Sequence, residues 1–168
     1  MLGLIAGGVV SGVILGLLSG LAAPLPVLVR YAAVVAVALL GVLRDAGLIT
    51  VALPQNARQV PRDVLRHSPR RGALRFGFEL GTGVRTYVSA TAPYVLVVAI
   101  LLAGPGPRVA ALAGAGFGAG RAVTPLLRRA SGAVEGWDAD LLVRLRAITV
   151  AGCAVLATAF ALVGTAQG

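Results

Sequence analysis

This chain of 168 residues is short of charge and of the residue types that metal sites need. Only 12% of its residues are charged, whereas soluble domains carry about 25%. One cysteine and one histidine exclude a metal cluster built from those ligands. There is no lysine, so all 15 basic residues are arginine. Three long stretches contain no charged side chain: residues 1–29, 86–107 and 147–168.

Common enzyme motifs are also missing. The sequence has no P-loop and no nucleophile elbow. The glycines of GAGFGAG (114–120) lie inside an apolar run, without the strand-then-helix setting that a dinucleotide fingerprint requires. We therefore predict that the protein is not an enzyme and has neither a cofactor nor a metal site.

The apolar stretches predict a membrane protein. The chain is 58% hydrophobic, and about 20 mainly apolar residues suffice for a helix to cross the hydrocarbon core. The runs do not alternate between polar and apolar residues, which argues against a membrane β-barrel. We predict one all-α domain, 1–168, in the form of a polytopic transmembrane bundle of about five spans. The expected spans are 2–23, 31–52, 78–103, 108–127 and 146–165.

The first span is expected to be retained and not cleaved as a signal peptide. It has no basic residues before it, and its apolar run exceeds the usual length of about 7–15 residues. We expect the protein to lie in the cell membrane as a multi-pass protein, in the inner membrane of a bacterium.

The arginines predict the orientation of the bundle, because basic loops stay on the cytoplasmic side. Ten arginines fall in the connections after spans two and four, against two, Arg30 and Arg108, in the opposite connections. The N-terminus is therefore predicted to lie inside and the C-terminus outside. The ten are Arg58, Arg62, Arg66, Arg70, Arg71, Arg75, Arg128, Arg129, Arg144 and Arg146.

The basic cytoplasmic loop 54–75 has arginines every four residues, from Arg58 to Arg70. Pro61 suits the first turn of a helix and Pro69 would end it, so we expect a short interfacial helix over about 61–67. Anionic lipid headgroups are a partner that fits this loop. Nucleic acid is not expected, because no aromatic residues interleave with the arginines and no binding module accompanies them.

Glycines recur every four residues in the first span and predict helices that approach closely. The expected packing positions are Gly8, Gly12, Gly16, Gly20, Gly114 and Gly118. Packing within the chain is the simplest interpretation. Two others are a homodimer through the first span and helices that slide during transport.

Two segments resemble a known membrane family. GLLSGLAAPLPVL (16–28) and GFGAGRAVTPLL (116–127) are similar to the Gly-Pro helices of the cytochrome c biogenesis and thiol–disulfide electron-carrying family (CcdA/DsbD type). That resemblance implies an inverted repeat of helices. The family's redox chemistry needs two cysteines, but Leu25 lies where one is expected and Cys153 is the only cysteine. The resemblance implies either a cysteine-less branch that kept the scaffold or a chance likeness.

Charged residues within the predicted spans are the candidate functional residues, because such residues are rare in membranes and are mostly functional. They are Glu79, Arg85, Arg121, Arg44 and Asp45. One interpretation is ion pairs that hold helices together, with Glu79 paired to Arg121 or, one helix turn away, to Arg75. The other is a polar cavity lined by Arg85, Arg121 and Glu79, open to the cytoplasm and suited to an anionic ligand. Its helix would be broken at Pro93 or Pro125, as in transporters.

Two functions follow from the sequence. The first is a small, non-redox transporter-like protein with a polar intramembrane site. The second is a non-catalytic membrane subunit or scaffold that docks another membrane protein. Besides the lipid bilayer, the expected partner is either a second copy of the chain or a different membrane protein.

Overall fold

The computed structural model describes residues 2–53, 69–83, 90–132 and 134–167. Within these residues the protein is all-α, as predicted, with six α-helices and one short 3-10 helix, Ser19–Ala22, that follows the first of them. The α-helices are α1 Leu2–Leu18, α2 Val27–Asp45, α3 Pro69–Gly81, α4 Ala92–Ala103, α5 Gly106–Ala130 and α6 Val134–Ala166.

Three stretches of the described chain are long and apolar enough to cross a membrane. They are Leu2–Ala22, Val27–Asp45 and Gly136–Ala166, and α4 is a shorter apolar helix. This agrees with the prediction of a helical membrane protein. The predicted interfacial helix at 61–67 lies outside the described residues.

Two pairs of neighbouring helices are antiparallel. Helix α1 is antiparallel to α5, because Gly8 lies against Gly114 and Gly16 lies against Pro107. Helix α2 is antiparallel to α6, because Gly41 lies beside Cys153 whereas Tyr31, at the other end of α2, lies beside Gly164. Helix α4 packs between these two pairs and touches α1, α2 and α6.

The third predicted span, 78–103, is not one helix, and that expectation was wrong. Helix α3 ends at Gly81 and α4 begins at Ala92, so each half is only 13 or 12 residues long. Gly83 has a φ of +72°, in the left-handed region that an α-helix does not contain. Pro93 lies in the first turn of α4, where its missing N–H costs nothing. Pro125, the other candidate for a break, lies inside the continuous helix α5.

Helix α6 begins 12 residues before the predicted start at 146, which corrects the boundary of the last span. Its 33 residues correspond to a length of about 50 Å at a rise of 1.5 Å per residue. Arg144 and Arg146 are therefore on a helix and not in a connecting loop. An ion pair of 2.6 Å between Arg128 and Asp138 joins the end of α5 to the first turns of α6.

Small residues fill the interior and large apolar residues cover the outside. The buried core includes Val34, Ala38, Val95, Ala99 and Cys153. The exposed apolar side chains include Leu2, Leu21, Leu28, Leu112, Leu142 and Val143, each more than 60% exposed. So many exposed large apolar side chains are unusual for a monomer in water and are compatible with a bilayer.

Candidate functional site

The α1–α5 interface is built on glycine. A methyl group added at Gly8 would collide with the carbonyl of Gly114, and one added at Gly12 would collide with the carbonyl of Ala110. A Cβ added at Gly16 would lie 2.7 Å from the Cβ of Ala110 and 2.9 Å from the Cα of Pro107. Gly114 and Gly118 approach α1 from the other side, at Gly8 and Leu4. Side chains are excluded here because the two backbones are in direct contact.

The glycine contacts differ from the expectation at both ends of α1. Gly20 has nothing within 4 Å of its Cβ position, because the chain has passed from α1 into the 3-10 helix. Gly20 is therefore not a packing position. Gly3, which lies near the helix end where bulk is usually tolerated, meets the backbone of Leu74 and Phe78 on α3. Gly7 makes the same kind of contact one turn later.

Glu79 lies on α3, and its side chain is only 17% exposed. Its Oε1 accepts a hydrogen bond of 3.4 Å from Nε of Arg75, one turn earlier on the same helix. The Arg75 side chain is 71% exposed, which makes this a loosely held pair. The guanidinium of Arg121 lies instead over the ring of Phe117 on its own helix, with its Cζ 5.7 Å from the ring centroid.

The hypothesis of a direct Glu79–Arg121 pair is therefore corrected. In the part of the chain that the structure describes, Glu79 pairs with Arg75 and not with Arg121. The physical reason is that Arg121 can satisfy its charge by a cation–π contact with Phe117 four residues earlier, on the same face of α5. Arg85, the third member of the predicted cavity, lies outside the described residues.

The carboxylate of Asp45 is closely bonded, and its side chain is only 2% exposed. Its Oδ1 accepts hydrogen bonds from Oγ1 of Thr91 at 2.6 Å and from Nη1 of Arg44 at 2.8 Å. Its Oδ2 accepts one from the backbone N–H of Thr91 at 3.0 Å and lies 3.8 Å from the thiol of Cys153. Four donors thus surround one carboxylate.

The local sequence explains why Asp45 points between helices. Helix α2 ends in a Schellman motif, in which Leu48 N–H bonds to Leu43 O and Gly47 N–H bonds to Arg44 O. Gly47 supplies the left-handed residue, with a φ of +70°. The chain turns away directly after Asp45, which leaves its side chain at the first residues of α4.

The Asp45 cluster, defined as Arg44, Asp45, Thr91 and Cys153, joins three helices. The carboxylate lies at the N-terminus of α4, where the helix dipole favours a negative charge. Cys153 belongs to α6, and its thiol also touches the position of Gly41 on α2. Because α4 starts at this point, the cluster fixes where the second half of the interrupted span begins.

A second feature is a cavity of about 360 Å³ among α1, α4 and α5, beside the interruption. Most of its wall is apolar. At one end lie Ser11, Thr82 and Gly83. Ser11 Oγ donates a hydrogen bond of 3.2 Å to the Thr82 carbonyl, and Thr82 Oγ1 donates one of 2.8 Å to the Glu79 carbonyl. These bonds satisfy the carbonyls that the end of α3 leaves without helical partners.

Sequence reasoning named Arg44 and Asp45 but missed Thr91, which provides two of the four donors to the carboxylate. A threonine two residues before a proline in an apolar run is a signal for a helix start, and that signal was available. The cavity could not have been found from sequence, because its walls come from three helices whose pairing depends on tertiary packing.

No protein-family model, curated protein or solved structure matches this chain. The resemblance to the thiol–disulfide electron-carrying family stays an expectation drawn from two Gly-Pro segments.

Proposed function

We propose that this chain is a multi-pass, non-redox protein of the cell membrane with a transporter-like function. Its five spans would be α1, α2, the pair α3 and α4, α5 and α6. The N-terminus would lie inside and the C-terminus outside, in line with the distribution of arginines. One contact agrees with this orientation, in which the C-terminal end of α2 and the arginines of α6 lie on the same side. Arg146 on α6 donates a hydrogen bond to the Ala46 carbonyl at the C-terminal end of α2.

The interruption of the third span carries this proposal. Two short helices, α3 and α4, replace one long helix, and their facing ends meet the cavity through Thr82 and Pro93. Transporters expose backbone groups to substrate by breaking a membrane helix in this way, and irregular backbone is tolerated there only where protein or a cavity covers it. Ser11 and Asp45 cover the polar groups at the two ends.

Cys153 supports the non-redox part of the proposal. Its thiol is fully buried and points at the carboxylate of Asp45. A reactive thiol is accessible and lies in a positively charged environment, and Cys153 lacks the first and faces a carboxylate. A thiol in such surroundings acts as a small packing group and a weak donor.

The second candidate function is a non-catalytic subunit that docks another membrane protein. One observation favours it: Gly116 and Gly120 on α5 have nothing within 4 Å of their Cβ positions. Glycines one turn apart on an open helix face would let a second helix approach closely.

Water access to the interruption tests the proposed function. In a Cys153→Ala background, Thr82→Cys should react with a membrane-impermeant thiol reagent, whereas Leu112→Cys, on the exposed apolar face of α5, should not. A transporter-like site needs water at the break at some stage of its cycle. If Thr82→Cys is inert from both sides, and if the chain purifies in stoichiometric amounts with another membrane protein, the subunit function replaces the transporter function.

A further inference from the structure

The cavity beside the interrupted span has a definite chemistry. Its apolar wall consists of Ile14, Leu15, Leu96, Val97, Ile100 and Phe117. No charged side chain of the described residues lines it. Among the described lining residues, a charged ligand would find no partner of opposite charge to offset its lost hydration, which is costly in an apolar environment. The described lining therefore favours an uncharged ligand.

One mouth of the cavity opens on the apolar outer surface. Ile14 and Val97 line the cavity and are also 52% and 38% exposed on the outside. Ile14 belongs to α1 and Val97 lies in the middle of α4, both within the most apolar part of the bundle. In the proposed membrane orientation, a molecule would reach this mouth sideways from the acyl chains of the bilayer. The ligand must then be soluble in lipid.

The polar end of the cavity can accept a hydrogen bond from a ligand. The hydroxyl groups of Ser11 and Thr82 already donate their hydrogens to main-chain carbonyls. Each hydroxyl oxygen keeps lone pairs that can accept a hydrogen bond. A ligand hydroxyl can therefore donate a hydrogen bond to either of these two side chains, and Tyr94 also lines the cavity.

We propose that this cavity binds a lipid-soluble, uncharged amphiphile with a hydroxyl head, its chain among Leu96, Val97 and Phe117 and its head at Ser11 and Thr82. A volume of about 360 Å³ falls within the range of about 300–1,000 Å³ that is usual for small-molecule sites. This inference rests on the proposed function and names the substrate class of the same site.

Tryptophan quenching by brominated chains tests the proposal. The protein has one tryptophan, Trp137, so Trp137→Phe provides a silent background. Phe117→Trp places a reporter in the cavity wall, and Leu112→Trp places a matched reporter on the same helix, 72% exposed on the outer surface. The probes are dibromo-octadecanol, which has a hydroxyl head, and dibromostearic acid, which has a carboxylate. Each is added in small amounts to phosphatidylcholine vesicles that contain the protein.

With the alcohol, the reporter at 117 should show saturable quenching beyond that of the reporter at 112. With the acid, the two reporters should be quenched alike. Val97→Phe, which fills the cavity, should remove the excess quenching at 117. If Phe117→Trp does not accumulate, Leu96→Trp reports from the opposite wall with the same controls.

Equal quenching of both reporters by the alcohol would overturn the proposal, and so would excess quenching at 117 by the acid. Either result would leave the water-access test at Thr82 unaffected. Conversely, an inert Thr82→Cys with saturable quenching at 117 would leave a lipid-binding site in a protein that is not a transporter.

Discussion

Removing the carboxylate of Asp45 should destabilise the bundle severely, although the charge lies at the end of a helix. Asp45→Ala would remove the acceptor of the Thr91 hydroxyl and N–H at a site that is almost closed. It would also remove one acceptor of Arg44, whose guanidinium donates to Val51 O and Thr91 Oγ1 as well. Removal of one partner from a buried charged pair costs about 3–5 kcal/mol. We expect Asp45→Ala to lower the free energy of unfolding by about that amount.

Asp45→Asn should cost less, about 1.5–3 kcal/mol, in the range for hydrogen bonds to charged groups. The asparagine keeps the shape, but its amide NH₂ must face either Arg44 or the Thr91 N–H, which are both donors. Thr91→Val removes the hydroxyl and keeps the N–H. Because Asp45 and Thr91 share two hydrogen bonds, the double change should be non-additive, with a coupling of about 0.5–3 kcal/mol.

The chain offers a matched control in Asp138. Its ion pair with Arg128 has a length of 2.6 Å, close to the 2.8 Å between Arg44 and Asp45, but both of its side chains are 48% exposed. Exposed pairs contribute about 0–1 kcal/mol, so Asp138→Ala should hardly change stability. Reversible unfolding in mixed detergent micelles, followed by circular dichroism, measures all of these variants. If Asp45→Ala costs no more than Asp138→Ala, the Asp45 cluster does not hold the bundle together.

The remaining predictions concern the glycine face, the ion pairs and the thiol. Gly12→Leu should prevent assembly of the α1–α5 interface and reduce the amount of folded protein, whereas Gly20→Leu should be tolerated; equal yields of folded protein on gel filtration would rule out the packing face. A double-mutant cycle between Glu79 and Arg121 should show no coupling in thermal unfolding, because Arg121 lies over Phe117, and a coupling above about 0.5 kcal/mol would contradict that geometry. Cys153→Ser should unfold at the same temperature as the wild type or higher, because a hydroxyl is a better donor to Asp45 than a thiol; a mixed disulfide of Cys153 trapped in cells would contradict the non-redox proposal.

The glycine spacing shows how far sequence periodicity reaches. A repeat of four predicted a close-packed face on α1, and Gly8, Gly12 and Gly16 lie in direct contact with another helix. It did not predict that α1 also packs against α3, so the contact of Gly3 with α3 was missed. A four-residue period predicts that one face of a helix carries small residues. Which helix packs against each turn of that face depends on how helices far apart in the chain cross one another.

The interrupted span shows a different limit. Hydropathy merged α3 and α4 into one predicted helix because the residues between them are also mainly uncharged. Gly83 and Pro93 were visible in the sequence, but both residues are common in membrane helices that are not broken. Pro125 illustrates this, since it lies within the continuous helix α5.

Charge pairing was predictable only where it is local. The spacing of Arg75 and Glu79, one helix turn apart, allowed the ion pair that the structure contains. The Glu79–Arg121 hypothesis relied on equal depth in the membrane, which does not fix the rotation of each helix. Asp45 was named as a candidate, but its partners Thr91 and Cys153 lie 46 and 108 residues away along the chain.

The most direct test of the five-span account is the side of the membrane on which the two ends of α5 lie. Single cysteines replace Pro107, at its start, and Ser131, after its end; both positions are exposed, and the background is Cys153→Ala. On intact cells, an impermeant thiol reagent should label the cysteine at 107 and not the one at 131, and inverted membrane vesicles should give the reverse. Labelling of both from the same side would contradict the account, because α3 and α4 together, or α5, would then fail to cross the membrane.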